Sequence, residues 1–221
     1  MRTIIVNCKN YPEAMGEGAV RLARAVKKIS DDLGVEGVVA PPTPMLALVA
    51  SITGARVFCQ AVGGEAGDKT TGAVIPESVK AAGASGAMLN HSEARVPPGV
   101  LARLVPRLAG LGLDVCICAQ TSQEAAELAL LGPKYVAIEP PELIGSGVAV
   151  SRAKPELVER TVAAVREGGF KGKILCGAGI VTGEDVEKAV RLGADGVLAA
   201  SSVVKARDWE SKVRELARSL S

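Results

Sequence analysis

Eight short runs, apolar on both faces, constrain this chain more than any other feature. They are Thr3–Cys8, Gly37–Ala40, Arg56–Gln60, Ala87–Asn90, Asp114–Cys118, Tyr135–Glu139, Lys173–Cys176 and Gly196–Ala200, rich in Val, Ile, Cys and Ala. A strand with one wet face alternates polar and apolar residues. A strand without that alternation is covered on both faces, as in a parallel sheet flanked by helices. Amphipathic segments fill the intervals. In Glu17–Leu33, Ala19, Leu22, Val26 and Ile29 recur at helical spacing, while Arg21, Arg24, Lys27 and Lys28 take the outer face. Thr121–Leu131, Lys154–Glu167, Gly183–Leu192 and Asp208–Leu220 repeat the pattern. Pro44–Ile52 and Pro76–Ala82 read as shorter helices, each beginning near a proline.

The joints point the same way. "AAGASGAM" (Ala81–Met88) and "RLGADGVL" (Arg191–Leu198) share one order: helix end, Gly, Ala, any residue, Gly, strand. A glycine just past a helix end accommodates the left-handed cap. The unit repeats about every 28 residues, one-eighth of the 221, with no break in composition. This predicts the α/β class and one closed (β/α)8 barrel domain over residues 1–221. The alternative is a doubly wound open sheet. That fold normally carries a glycine fingerprint after its first strand, where this chain has "NCKNYPEAMGEG".

Composition excludes several function classes. A hydrophobic content of 48% argues against disorder. No stretch of about 18 uninterrupted apolar residues is present, so no membrane span and no membrane partner are expected. The opening "MRTIIVNCKNYP" is too short and polar for a signal peptide. Five cysteines, an odd number mostly inside apolar runs, suit a reduced, cytoplasmic protein. A net charge of +2 and 2% aromatic residues give no basis for a nucleic-acid partner. With one histidine in the chain, a His-rich metal site is ruled out, and neither metal nor cofactor is expected.

In such a barrel the chemistry belongs at the carboxyl ends of the strands. Those ends carry Asn7 with Lys9, Gln60, Asn90 with His91, Gln120, Glu139, Gly177 and Ser201. Asn7 and Lys9 are two apart and share a face, so Cys8 points the other way. Cys116 and Cys118 likewise share a face and read as small core residues. His91, in "LNHSEAR", is flanked by Ser92 and Glu93, but neighbours in sequence cannot make both hydrogen bonds of a catalytic triad. No Gly-x-Ser-x-Gly elbow occurs either. Either His91 is structural, or it works with a distant partner, for which Glu139, two strands on, is the candidate. After the seventh and eighth strands, "CGAG" (through Gly179) and "AASS" (Ala200, Ser201) are small enough to let backbone N–H groups approach an anion. In "VAIEPPELIGSG", Glu139 leaves its strand into a loop stiffened by Pro140 and Pro141 and freed by Gly145 and Gly147, with Leu143 and Ile144 as an apolar tip.

Taken in order, "NCKNY", "NHSEAR", "AIEPPELIGSG", "CGAGI" and "LAASS" resemble the triosephosphate isomerase family, in particular its short archaeal form, over essentially the whole chain. The resemblance implies a TIM barrel that interconverts D-glyceraldehyde 3-phosphate and dihydroxyacetone phosphate, in glycolysis and gluconeogenesis. It implies Glu139 as the base and His91 as the neutral electrophile, roles for which this family is itself a standard example. It implies Lys9 stabilising the developing negative charge, Asn7 orienting oxygens and Glu93 supporting Lys9. Ile144 and Gly145 would lie on a closing lid, and Gly179, Ala200 and Ser201 would contact the phosphate. Glu142 stands where the common form has Trp, Gly179 where it has Ser, and Ala200-Ser201 where it has Gly-Gly; the chain is also shorter than the usual ~250 residues. The third loop, "VGGEAGDKTTGAVIP", resembles the family's interdigitating loop, with Thr70 or Thr71 reaching a neighbour. This implies a homo-oligomer built on a dimer, a tetramer for the short form. Two other readings are a class I aldolase with Lys9 as Schiff-base nucleophile, and a phosphosugar-binding barrel without chemistry.

Overall fold

The computed structural model describes residues 1–63, 69–145 and 147–221. Eight parallel strands close into a barrel in chain order: β1 (Thr3–Asn7), β2 (Glu36–Ala40), β3 (Arg56–Cys59), β4 (Gly86–Leu89), β5 (Asp114–Ala119), β6 (Tyr135–Ile138), β7 (Lys173–Cys176) and β8 (Gly196–Ala199). β1 closes on β8 in the register Thr3↔Gly196 to Val6↔Ala199. The helices are α1 (Glu17–Leu33), α2 (Leu46–Thr53), α3 (Pro76–Ala81), α4 (Pro98–Gly110), α5 (Ser122–Ala129), α6 (Val150–Ala153), α7 (Pro155–Glu167), α8 (Gly183–Arg191), α9 (Ser201–Val204) and α10 (Trp209–Arg218). Each strand lies within a residue of its predicted position at either end. α4 was not legible as a helix: Pro98, Gly99 and Pro106 interrupt its pattern. Pro106 is tolerated because it sits on the wet side, as does Ala102, whose carbonyl loses its helical donor to the proline.

Strand parity divides the interior in two. Ile5, Val38, Phe58, Met88, Cys116, Cys118, Tyr135 and Leu175 point inward and fill the barrel. Ile4, Val6 and Cys8 point outward into the layer beneath the helices, against residues such as Leu22, Val26, Leu104, Val186 and Leu216. Inside, Phe58 and Tyr135 meet edge to face, with centroids 5.9 Å apart.

The repeated joint has a physical explanation at both glycines. Gly83 (φ +81) and Gly193 (φ +96) occupy the left-handed region after α3 and α8. Gly86 and Gly196 begin β4 and β8 hard against neighbouring strands. A Cβ on Gly86 would lie 2.3 Å from the Asp114 carbonyl oxygen, and one on Gly196 would lie 2.0 Å from that of Thr3. The first glycine turns the chain; the second lets the sheet close.

The amino-terminal end of the barrel is sealed by charge. Glu36 Oε2 accepts hydrogen bonds from Thr3 Oγ1 at 2.7 Å and Lys173 Nζ at 2.8 Å. Lys134 Nζ reaches Asp114 at 2.9 Å, and Arg56 pairs with the same carboxylate. Burial pushes the Glu36 carboxyl up, but the hydrogen bonds from Lys173 and Thr3 and the Lys173 charge outweigh it and hold the group down at about 2. All the acid–base candidates lie at the other end. Among the described residues, no helix is long and apolar enough to cross a membrane.

Candidate active site

At the carboxyl end, Asn7, Lys9, His91, Glu139, Ile144, Gly145, Gly179, Ala200 and Ser201 all line one recess of about 530 Å³, measured out to solvent. Of the other residues singled out from the sequence, Gln60 and Glu93 line the adjoining hollow, while Asn90, Gln120 and Gly177 line neither. Tyr11, Ala178 and Ser202 also line the recess and were not singled out. β1 ends at Asn7 and the chain turns at Lys9, so strand parity does not reach Tyr11 and no local pattern marks it.

Lys9 leaves β1 in a conformation unusual for a side-chain-bearing residue, with φ +46. Two side chains hold it there. Asn7 Oδ1 accepts the Lys9 N–H at 3.0 Å, and Gln60 Nε2 donates to the Lys9 carbonyl at 2.8 Å. The ammonium then reaches Glu93 Oε1 at 2.8 Å. Asn90 leaves β4 with φ +62, and its side chain fixes the turn that presents His91. Its amide donates to the Cys118 carbonyl at 2.9 Å and its Oδ1 accepts the Val96 N–H at 3.2 Å.

His91 is buried. Its Nδ1 accepts the Glu93 backbone N–H at 3.2 Å, so the proton of the neutral ring is carried on Nε2. Nε2 lies 3.7 Å from Glu139 Oε2. That is beyond hydrogen-bond range, so neither group consumes the other. Glu139 is only 6% exposed, and its Oε2 has no hydrogen-bond partner. Burial raises its pKa; the nearby His91, a hydrogen bond from the Cys118 thiol and the Lys9 charge offset only part of this. Cys118, read from the sequence as small core, is thus also the floor beneath the carboxylate. Gly177 lies against the other side, where a Cβ would come 3.2 Å from Glu139 Cγ.

The loop after β6 forms one wall. Pro141–Leu143 make a turn of 3-10 helix, and Ile144, Gly145 and Gly147 line the recess. Gly145 (φ +73) and Gly147 (φ +74) both use the left-handed region. Leu143, expected at the tip beside Ile144, packs against the outer core instead. The loop's return is seated on the loop after β7: Val150 N–H donates to the Ala178 carbonyl at 3.2 Å, and a Cβ on Gly179 would lie 2.0 Å from the Val148 carbonyl oxygen. Opposite, the first turn of α9 borders the recess through Ser201 and Ser202. A second hollow shares Asn7, Lys9, Tyr11 and His91 and continues past Thr43, Gln60 and Ala94. Of the third loop expected to reach a neighbouring subunit, residues 64–68 lie outside the described residues; Thr70 and Thr71 are exposed.

A partly desolvated carboxylate, a neutral imidazole N–H, an ammonium and a small-residue anion cradle around one small recess suit proton transfer on a small anionic carbonyl compound. Known proteins agree. The family model described as triosephosphate isomerase matches residues 2–216. The triosephosphate isomerase of Pyrobaculum arsenaticum is 47% identical over 217 residues, 98% of this chain and 97% of that protein. Those of Cenarchaeum symbiosum and Caldivirga maquilingensis are 45% and 44% identical, over 99% and 98% of this chain and 97% and 96% of their own lengths. The short chain length is therefore common to these relatives. The chain belongs to the triosephosphate isomerase family, enzymes that interconvert triose phosphates, and it carries that family's barrel.

Proposed function

We propose that Glu139 and His91 perform the interconversion of D-glyceraldehyde 3-phosphate and dihydroxyacetone phosphate, with Lys9 and Asn7 in support. The Glu139 carboxylate removes a proton from the carbon beside the carbonyl. His91 Nε2–H donates to the carbonyl oxygen as it becomes an enediolate oxygen. His91 gives that oxygen its Nε2 proton and takes up the proton of the neighbouring hydroxyl, whose oxygen becomes the new carbonyl, while the proton held by Glu139 passes to the former carbonyl carbon, which completes the isomerisation. Lys9 places its ammonium charge by the developing oxyanion, and Asn7, which fixes the Lys9 backbone, orients the oxygens. The phosphate is held by backbone N–H groups at Gly179, Ala200 and Ser201 and by Gly145 when the lid closes. Ile144 then excludes water, which protects an enediolate prone to losing phosphate.

The observation that carries this reading is the pair of free ends. Glu139 Oε2 is buried without a partner, and His91 Nε2 faces the same recess 3.7 Å away. The aldolase alternative requires a free lysine amine, whereas Lys9 is paired with Glu93 at 2.8 Å. A binding protein without chemistry has no use for an unpartnered buried carboxylate.

One barrel domain spans the chain, and it works in the cytoplasm as a homo-oligomer, a tetramer assembled from dimers. The hollow beside the recess receives Thr70 or Thr71 of a neighbouring copy. Gel filtration with light scattering tests the assembly. A coupled assay of the purified protein in EDTA tests the chemistry. Glu139→Gln is expected to lose about 10³-fold or more in kcat while still binding a phosphate-bearing competitive inhibitor. Unchanged turnover in that variant would refute the assignment.

A further inference from the structure

Away from the recess, Arg21, Arg24 and Lys28 on the outer face of α1 and Arg207 on the approach to α10 line one groove between the two helices. The carboxylates at its rim are already engaged. Glu210 takes Lys28 at 2.6 Å, and Asp208 caps α10 by accepting the Ser211 N–H and hydroxyl. Arg21 is held over the Trp209 ring, 5.3 Å from its centroid. Arg24 and Arg207 have no carboxylate partner among the described residues. Three arginines and Lys28 against two carboxylates, Asp208 and Glu210, leave the concavity with an excess of positive charge that draws in anions. The planar guanidinium forks can donate two parallel hydrogen bonds to a pair of phosphate oxygens.

The groove also has length. A neighbouring hollow shares Arg207 and Asp208 with it, adds Lys205 and the ion pair of Lys212 with Glu215, and ends at Ser201 and Ser202, the phosphate side of the recess. A single phosphate would satisfy one end only. We propose that this groove is a second anion site, which takes a linear oligophosphate, either free or carried on a nucleotide. Its cations are confined to a hollow between two helices, and the face of its aromatic residue, Trp209, is already covered by Arg21, which favours a small ligand over a nucleic-acid strand.

Calorimetric titration of the full chain with sodium tripolyphosphate, and separately with ATP, tests this. One bound equivalent is expected to survive saturation of the recess with a phosphate-bearing competitive inhibitor. The same equivalent is expected to weaken at least about tenfold in Arg24→Glu/Arg207→Glu. Isomerase activity of that double variant without oligophosphate should stay within about twofold of wild type, as surface changes outside a site usually do. Tighter binding of ATP identifies the nucleotide-borne form, and equal binding identifies the phosphate chain itself. Wild type and double variant binding tripolyphosphate alike would overturn the proposal. So would loss of all binding when that inhibitor is present, or a preference for single-stranded RNA over tripolyphosphate.

Discussion

Glu139 sits where its charge is poorly solvated, and that placement sets both its chemistry and its effect on folding. Burial raises the carboxyl above the ordinary 4.5. In its proposed role as general base Glu139 acts only when deprotonated, so the acid limb of kcat/KM is expected above pH 4.5, read from a pH–rate profile. For stability the sign is worked through linkage. A carboxyl raised on folding favours the fold while protonated, and that contribution is lost as pH rises through the folded value. Glu139→Gln should therefore match wild type in urea melts below pH 4.5 and exceed it well above that pH. Much at this scale was legible in the sequence. Asn7, Lys9, His91 and Glu139 were visible because charged or amide side chains at the ends of apolar strands have few structural reasons to be there. Cys118 was not visible as a neighbour of Glu139, because its contact depends on the twist that brings β5 and β6 together above the barrel. The hold of Gln60 on the Lys9 backbone was hidden for the same reason: it links β3 to β1 and leaves no local trace.

At the scale of elements, the lid and the loop after β7 behave as one device. Gly179 combines φ +74 with a carbonyl 2.0 Å from any Cβ it could carry. Gly179→Ala should displace either the lid's return or the phosphate cradle. A loss of about 10² in kcat/KM is expected, since a shift near 1 Å in a positioning element costs that much; steady-state kinetics would measure it. α4 gives a prediction about stability instead. Pro106 removes one helical hydrogen bond on a wet face. Pro106→Ala should raise stability by about 1–2 kcal/mol, the helix gain less the entropy returned to the unfolded chain, as seen in denaturant midpoints. The strands were easier to read than this helix, because an apolar run is contiguous whereas a helical stripe is broken by any misplaced Pro or Gly.

Across the whole molecule, the two ends of the barrel divide the work. The amino-terminal end buries Glu36 among Thr3, Lys173 and Lys134. Its carboxyl is held at about 2, so the stabilisation is present above the ordinary value of 4.5 and is lost as pH falls from there toward 2. Glu36→Gln should cost about 3 kcal/mol at neutral pH, the usual effect of removing one partner from a buried ion cluster. The gap from wild type should narrow on acidification, in melts at a series of pH values, with little change in KM. That the barrel closes was legible in the eightfold repeat. How its two ends differ was only partly so, since Glu36, Arg56, Asp114 and Lys173 look like ordinary strand-start charges until the sheet curls and gathers them.

The seating of Val148 to Val150 on the backbone at Ala178 and Gly179 has a consequence for selectivity. Under the proposed function, the cover over the reaction chamber and the clasp for the ligand's anionic tail would share a single abutment, so that gripping the tail would also latch the cover. A bare aldehyde of the same carbon skeleton, lacking that tail, would leave the latch unset, and raising its concentration could fill the chamber without shutting it.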